Sequence, residues 1–531
     1  MEWMNGFALL DAQDYTIARE IIQRGVAAVF VLAFASTYRQ FPVLLGERGL
    51  LPTPDHLARS LGRGGPSLFR WRRVGYSDRL LRGMCAVGML LGASAVIGLP
   101  QQGPGWTTIP VFLAMWGLYL SIHSVGRIFY GYGWESMLLE CGFIVGFLGS
   151  HQVAPPLLIL WFLRWMLLRL EFGAGMIKMR GDPSWRDLTA MDHHHETQPM
   201  PGPLSRLAHL RPRWWHRIEV LGSHVVQLGA IWLVLLPQPI ASIGASLVIL
   251  TQLFLVVTGN YAWLNWLTIL VATAAISDPF WRWLGGGPFP GWGWQDLPAT
   301  DASAAGTAGS PLWWQLLILA VVVFLAVLSW KPLLNLFSAH QLMNASFNRF
   351  HLVNAYGAFG SMTSGRYEVI IEGTLDPDPP TADEVAWHAY EFPGKPGDVR
   401  RRSRQFAPYH LRLDWQMWFL ALRPGAQDWF VALLEKLRDG DPGVRRLLRS
   451  DPFHGAPPTG LRVRYFRYRY ATAAERRESG QWWMRTDLGV IARMDPEPDA
   501  ESDPDPAAEP EPEPEADPDR ETGAGTDPDR D

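Results

Sequence analysis

A succession of apolar runs, each about the length of a bilayer crossing, limits what this chain can fold into more than any other feature. The runs lie at 24–45, 83–100, 107–124, 133–150, 155–177, 218–237, 241–259, 261–278 and 313–331. An α-helix rises ~1.5 Å per residue, so ~20 apolar residues cross the ~30 Å hydrocarbon layer. A water-soluble core cannot enclose so many segments that are apolar on every face. The run at 133–150 is the weakest, because it contains Glu135 and Glu140. The pattern predicts an α-helical polytopic membrane bundle of about eight or nine helices within 1–337. Glu2, Asp11, Asp14, Arg19 and Glu20 occupy the first twenty residues, which argues against a cleavable signal peptide.

Composition supports this once the C-terminal end is set aside. Of 531 residues, 48% are hydrophobic and 18% charged, yet the mean hydropathy is only +0.01. The polar end explains the discrepancy. Residues 495–531 hold 16 acidic and 2 basic side chains among prolines, leaving +10 on the rest. Such a segment buries too little apolar surface to fold and reads as a disordered acidic tail. Cys85 and Cys141 both lie in apolar runs, so a disulfide scaffold is excluded. Four Lys against 43 Arg, with abundant Ala, Gly and Pro, point to a GC-rich bacterial genome.

Beyond Lys331 the periodicity changes. Tyr367–Glu372 and Leu461–Tyr470 read as strands, the second alternating Arg with aromatic residues. Leu411–Leu422 and Trp429–Leu437 read as short amphipathic helices. Residues 338–494 are therefore expected to form a soluble, β-rich α+β domain. A stretch at 285–311 rich in Gly, Pro, Ala and Thr reads as a flexible connection before the last apolar run. The 46–82 loop carries eight Arg and three acids, so the positive-inside rule places it in the cytoplasm.

Glu135, Glu140, Arg164, Arg169 and Glu171 fall inside apolar runs, with Lys178 and Asp182 just beyond one. An ionisable group there costs ~3 kcal/mol on insertion scales, so it needs a partner or a purpose. Two readings stand. Glu135 or Glu140 pairs with Arg164 or Arg169 to lock helices together, or the cluster lines a polar cavity. Lys178 ends an apolar helix. It either snorkels to the interface or pairs with Asp182, or its burial makes it a general base.

His193, His194 and His195 precede Glu196, and His209, His216, Glu219 and His224 follow. On a helix His216 and Glu219 share a face, with His224 two turns past His216. These are zinc or iron ligand types, but the tight spacing of a helical metal motif is missing, and capping or packing explains them equally. In the C-terminal region Arg412 and Asp414 are spaced to pair, while Trp415 and Trp418, flanking Gln416 and Met417, share a helix face. That face either packs inward or grips extended polypeptide. No phosphate-binding glycine loop or serine nucleophile elbow is present, no cofactor is implied, and the +10 charge is too diffuse for nucleic acid.

Several ordered segments resemble the lipase maturation factor family. They are GERGLLP (46–52), YGYGWESMLLECGF (130–143), LRWMLLRLEFGAGMIKMRGDPSWRDLT (163–189), HETQPMPGPLS (195–205), WWHRIEVLGSH (214–224) and VTGNYAWLNWLTI (257–269). The C-terminal region adds FHLVNAYGAFGSMTSGRYEVIIEGT (350–374), EFPGKPGD (391–398), RLDWQMWFLAL (412–422), DPF (451–453) and WWMR (482–485). The resemblance implies a membrane-anchored folding factor, lodged in membrane lipid, whose clients are secreted lipases. It implies a C-terminal domain on the lumenal side, equivalent to the outer side of a bacterial cytoplasmic membrane. That placement conflicts with the orientation read from the 46–82 loop. Near 192–196 only His194 carries over, and at 408–410 this chain has Pro408-Tyr409-His410. A redox role proposed for the family finds no Cys-x-x-Cys here. A shorter stretch, 173–188, is similar to membrane enzymes of the vitamin K-dependent carboxylase type. This implies Lys178 as base toward a quinol, with His123 or His194 nearby. A transporter, needing a polar path through the bundle, is the third reading.

Overall fold

The computed structural model describes residues 10–60, 64–71, 73–286, 310–376 and 386–494. The expected acidic tail and nearly all of the 285–311 connection lie outside the described residues. Helix α1 (Thr16–Leu44) runs through the middle of the helical region, and its first turn is capped from far away. The amides of Thr16 and Ile17 each donate to the Asp278 carboxylate at 3.0 Å, and the Thr16 hydroxyl adds a 2.5 Å bond. A carboxylate there satisfies free N–H groups and meets the positive end of the helix dipole. Around α1 stand α2 (Asp78–Val96), α3 (Thr108–His123), α4 (Gly133–Val145) and α5 (Leu157–Arg180). Small residues set the spacing, as packing between apolar helices demands. A Cβ built on Gly142 of α4 would lie 2.5 Å from the ring of Phe30 in α1.

A short helix, α6 (Met191–Thr197), leads through a loop to α7 (Arg213–His224), which continues as a π turn at Val225–Gly229. Then follow α8 (Ile240–Thr258), α9 (Leu264–Ala272) and α10 (Leu312–Phe337). Five helices are long and apolar enough to cross a membrane: Gln13–Leu44, Asp78–Val96, Arg213–Leu235, Ile240–Thr258 and Leu312–Phe337. The expected eight or nine are not all matched, for physical reasons. Thr108–His123 and Leu264–Ala275 are apolar but short. Helix α4 gives way to a 3-10 turn after 13 residues, and α5 carries Arg164, Arg169, Glu171 and Lys178. The outer face of α10 leaves Val327 70% and Trp330 64% exposed. A helix that turns such residues outward suits hydrocarbon rather than water.

The C-terminal region contains β1 (Arg366–Thr374), β2 (His388–Ala389), α11 (Arg412–Leu422), α12 (Asp428–Arg438), β3 (Gly460–Tyr470) and β4 (Trp483–Met494). The strands form one antiparallel sheet in the order β2-β1-β3-β4. Both strands and the helix expected at Trp429–Leu437 lie within these elements, the helix expected at Leu411–Leu422 starts one residue later, and β4 has no counterpart among the expected strands. The alternation in β3 works as the pleat requires. Phe466, Tyr468 and Tyr470 are buried, while Arg467 and Arg469 point to solvent.

Residues Met1–Met494 cluster as one unit, and the apolar core is continuous from Phe30 and Tyr119 to Trp415 and Val463. Strand β1 is moored by Arg366, which bonds the Glu368 carboxylate and the carbonyls of Glu196, Gln198 and Pro199. Those carbonyls belong to the end of α6 and the loop that follows it, so the sheet and the segments between the apolar helices are tied directly.

Candidate functional site

Three buried polar networks and two cavities gather where the apolar helices meet the C-terminal region. The first network centres on Glu135, in the first turn of α4. Its carboxylate accepts from Arg412 Nη1 at 2.6 Å, from the Tyr119 hydroxyl and from the imidazole of His410. Arg412 also donates to the Phe129 carbonyl at 2.7 Å, and its guanidinium lies 3.6 Å from the Tyr130 ring centre. The expected Arg412–Asp414 pair therefore does not form. The carboxylate of Asp414 accepts the backbone amides of Gly394 and Lys395 instead, at 2.6 and 3.0 Å. Burial pushes its pKa up to about 6 despite those bonds. Burial, with Arg412 beside it, pushes His410 down to about 4, so this ring is neutral.

The second network is the helix pair anticipated within the bundle. Arg169 of α5 bonds the Glu140 carboxylate of α4, which also accepts from the Asn354 amide at 2.7 Å and the Tyr356 hydroxyl at 2.8 Å. Among the described residues Arg164 pairs with no carboxylate. It donates to the carbonyls of Ala274 and Val234 and to the Tyr15 hydroxyl. Those two carbonyls lie in 3-10 turns, where i→i−4 pairing fails and acceptors are left over.

Lys178 anchors the third. It is 5% exposed, so it neither snorkels nor pairs with Asp182. Its ammonium donates to Ser223 Oγ and Gln227 Oε1, both at 2.9 Å, and stands 4.4 Å over the Trp185 ring. Gln227, in the π turn, passes the chain on by donating to Glu171 at 2.9 Å. Gln252 donates to the other Glu171 oxygen at 2.6 Å, and Asn265 donates to Gln252 at 2.8 Å. Asp182 instead receives the amides of Ser184 and Met362.

The histidines pair one by one. His195 meets Glu219 at 3.1 Å, His209 meets Glu196 at 3.3 Å, and His216 meets Asp192 at 2.8 Å. His224 bonds the Trp185 carbonyl. The set His209, His216, Glu219 and His224 is thus not brought together. Among the described residues no group of three or more His, Cys, Asp or Glu is placed to hold a metal ion. His194 faces Tyr261, whose hydroxyl donates to Gln198 Oε1 at 2.6 Å and lies 3.1 Å from His194 Nε2. That hydroxyl has one proton, so His194 carries its own on Nε2. Burial holds the ring well below its ordinary pKa and keeps it neutral.

One cavity, of about 350 Å³, is bordered by Glu171, Lys178, His194, Gln252 and Phe254. The other, of about 320 Å³, is bordered by Tyr132, Trp134, Trp415, Trp418 and Phe419. His194, Tyr261 and Phe359 border both. The run Arg412–Trp418 divides its work between anchoring and lining. Gln416 donates to the Ile128 carbonyl and the Tyr132 hydroxyl, and Trp418 donates to the Thr197 carbonyl. Trp415 is buried, with its ring centre 4.8 Å from that of Trp134, while Phe419 stays 43% exposed at the rim. Gln227 and Gln252 escaped notice in the sequence although polar residues inside apolar runs are a usable signal. Asn354, Arg366 and His410 had no comparable signal, since Glu140, the Glu196 carbonyl and Glu135, to which they are tied here, are more than 150 residues away.

Comparison with known proteins gives these features a setting. A family model described as the lipase maturation factor transmembrane domain matches residues 17–283. A second, the lipase maturation factor C-terminal domain, matches 352–492. Lipase maturation factor 1 of Bos taurus is 37% identical over 508 residues, covering 91% of this chain and 89% of the relative. The Homo sapiens protein of that name is 36% identical, with 91% and 88% covered. Lipase maturation factor 2 of Homo sapiens is 29% identical, with 88% and 81% covered. No solved structure matches. The carboxylase-type and transporter readings gain no support from these relatives.

Proposed function

The chain belongs to the lipase maturation factor family, and from that premise we propose that it is a membrane-associated maturation factor for lipases. Relatives carrying that name align with nine-tenths of the chain, across both the apolar helices and the sheet-containing region. The observation that carries the reading to particular residues is the aromatic cavity at the junction. Tyr132, Trp134, Trp415 and Trp418 border it, and Phe419 and Met343 stand exposed at its edge.

A partly folded lipase presents apolar surface that is later buried by folding or subunit pairing. Rigid aromatic side chains supply contact area at low conformational cost, so such a cavity holds an apolar client segment reversibly. Holding lowers the concentration of aggregation-prone chains by mass action and needs no bond to be made or broken. In this reading all eight or nine apolar runs cross the bilayer or lie within it. The C-terminal region faces the extracytoplasmic side of a bacterial inner membrane, where secreted clients emerge.

The test is to co-express a secreted lipase with the full chain carrying Phe419→Ser and Met343→Ser. Both residues are exposed, so the fold should survive. Co-purified lipase and active secreted lipase per membrane-inserted factor should both fall. If both stay at the level of the unaltered chain, the cavity is not the client site.

A further inference from the structure

The cavity beside Lys178 has the make-up of a small-molecule site, and client holding leaves it unused. Its lining includes apolar side chains, Leu170, Leu255 and Leu264 among them, together with polar ones. Of these, Glu171, Lys178, Gln252 and Asn265 are each at least 95% buried. Buried amides and charges stay in an apolar setting only when hydrogen-bonded, and these are arranged as one chain. The chain leaves capacity over. Asn265 gives one proton to Gln252, and among the described residues no donor reaches its Oδ1. Each Glu171 oxygen accepts one amide proton and has a second lone pair available.

Three further observations define what fits. Past the exposed Arg213 and Arg217 of its first turns, α7 turns apolar side chains outward, as does α8, with Leu221 at 52% and Leu250 at 63% exposed, so the cavity is flanked by helix surfaces that suit hydrocarbon. Gly222 borders the cavity, and a Cβ built on it would meet nothing within 4 Å. The helix surface there is hollow rather than packed. In addition, each charge bordering the cavity already has a partner: the ammonium of Lys178 and the carboxylate of Glu171 are joined through Gln227, and the carboxylate of Glu219 is bonded by His195 and by the Trp215 indole N–H. An anionic head would meet Glu171, and a cationic one would meet Lys178.

We propose that this cavity binds a neutral single-chain lipid that enters from the membrane between α7 and α8. Its hydroxyl and carbonyl oxygens pair with Asn265, Glu171 and Lys178, and its one hydrocarbon tail lies on Leu170, Leu255 and Leu264. About 350 Å³ sits at the small end of the ~300–1,000 Å³ range of ligand pockets, which suits one chain rather than a two-chain phospholipid.

The test uses the full chain in lipid nanodiscs and a photoreactive, alkyne-tagged monoacylglycerol. The same tagged chain as a free fatty acid and as an alkyl trimethylammonium serves for comparison. Monoacylglycerol should label peptides from 213–235 or 240–258, be competed by its untagged form, and exceed both charged analogues. Gly222→Trp should lower labelling roughly tenfold. Thr251→Trp, which fills the same space from α8, should do likewise if the first variant inserts poorly. Gly83→Trp, built into open space on α2, should leave labelling unchanged. Equal labelling by all three amphiphiles, or labelling that survives both cavity-filling variants, would overturn the proposal. No lipase enters the assay, so the outcome is independent of the client-holding reading.

Discussion

The carboxylate of Glu135 accepts a 2.6 Å bond from Arg412 Nη1 across 277 residues of sequence, and both side chains are fully buried. This pair fastens the first turn of α4 to the first turn of α11. Removing one partner of a buried ion pair leaves an uncompensated charge and costs about 3–5 kcal/mol, whereas replacing both with apolar groups is far milder. Glu135→Ala and Arg412→Ala should each deplete membrane-inserted, monodisperse protein. The double variant Glu135→Met with Arg412→Met should recover much of it. Thermal unfolding in nanodiscs checks this. A double variant as poor as the sum of the singles would show that the two side chains act separately.

Asp414 gives a pH dependence with a definite sign. Its pKa is raised from the ordinary 3.8 to about 6, chiefly by burial. Between pH ~4 and ~6 the folded chain therefore holds a proton that the unfolded chain has lost, and stability falls as pH rises through that window. The shift corresponds to a loss on the order of 3 kcal/mol above pH 6. Asp414→Asn keeps an oxygen for the amides of Gly394 and Lys395 and removes the charge. It should be the more stable form at pH 7.5 and should flatten the slope between pH 4 and 6, read by tryptophan fluorescence unfolding. A variant that retains the slope would assign it to another group.

What the sequence showed and what it hid separate along physical lines. The apolar runs, β1, β3, α11 and α12 were legible because they follow the 3.6- and 2-residue periods of local structure. Glu140–Arg169 is one of the four pairings that the sequence left open, as opposite charges inside apolar runs call for partners without saying which. Glu135 had the same signature, but its partner lies in a different region, and no local period connects position 135 to 412. Of the alternatives open for Lys178, snorkelling and pairing with Asp182 fail for a related reason. A lysine ending an apolar helix usually reaches for the interface, but Ser223 at the end of α7, Gln227 in the π turn and the Trp185 ring meet this one inside. Strand β4 gave no such signal, because beyond the buried Trp483 its residues Arg485 to Arg493 are exposed on both faces and show no alternation.

The Lys178 network yields a further prediction. With Lys178→Met, the Glu171 carboxylate keeps its two amide donors but loses the buried positive charge linked to it through Gln227. Membrane-inserted protein should fall. Adding Glu171→Gln removes the unbalanced charge, and the double variant should regain most of the lost level. Detergent-solubilised size-exclusion profiles compare the four forms. If the second substitution deepens the loss, the two charges are not balanced against each other.

Two glycines on the same helix should respond in opposite directions. A Cβ on Gly88 of α2 would run into the ring of Phe34 on α1, whereas one on Gly83 meets nothing within 4 Å. Overpacking a close helix contact costs typically about 1–3 kcal/mol. Replacing an unhindered helical glycine by alanine gains up to about 1 kcal/mol, because alanine loses less backbone freedom on folding. Gly88→Ala should lower the unfolding temperature of the inserted chain, and Gly83→Ala should hold or raise it. Equal shifts for both would mean that α1 and α2 are not set at their distance by Gly88, and that Phe34 has room to turn away.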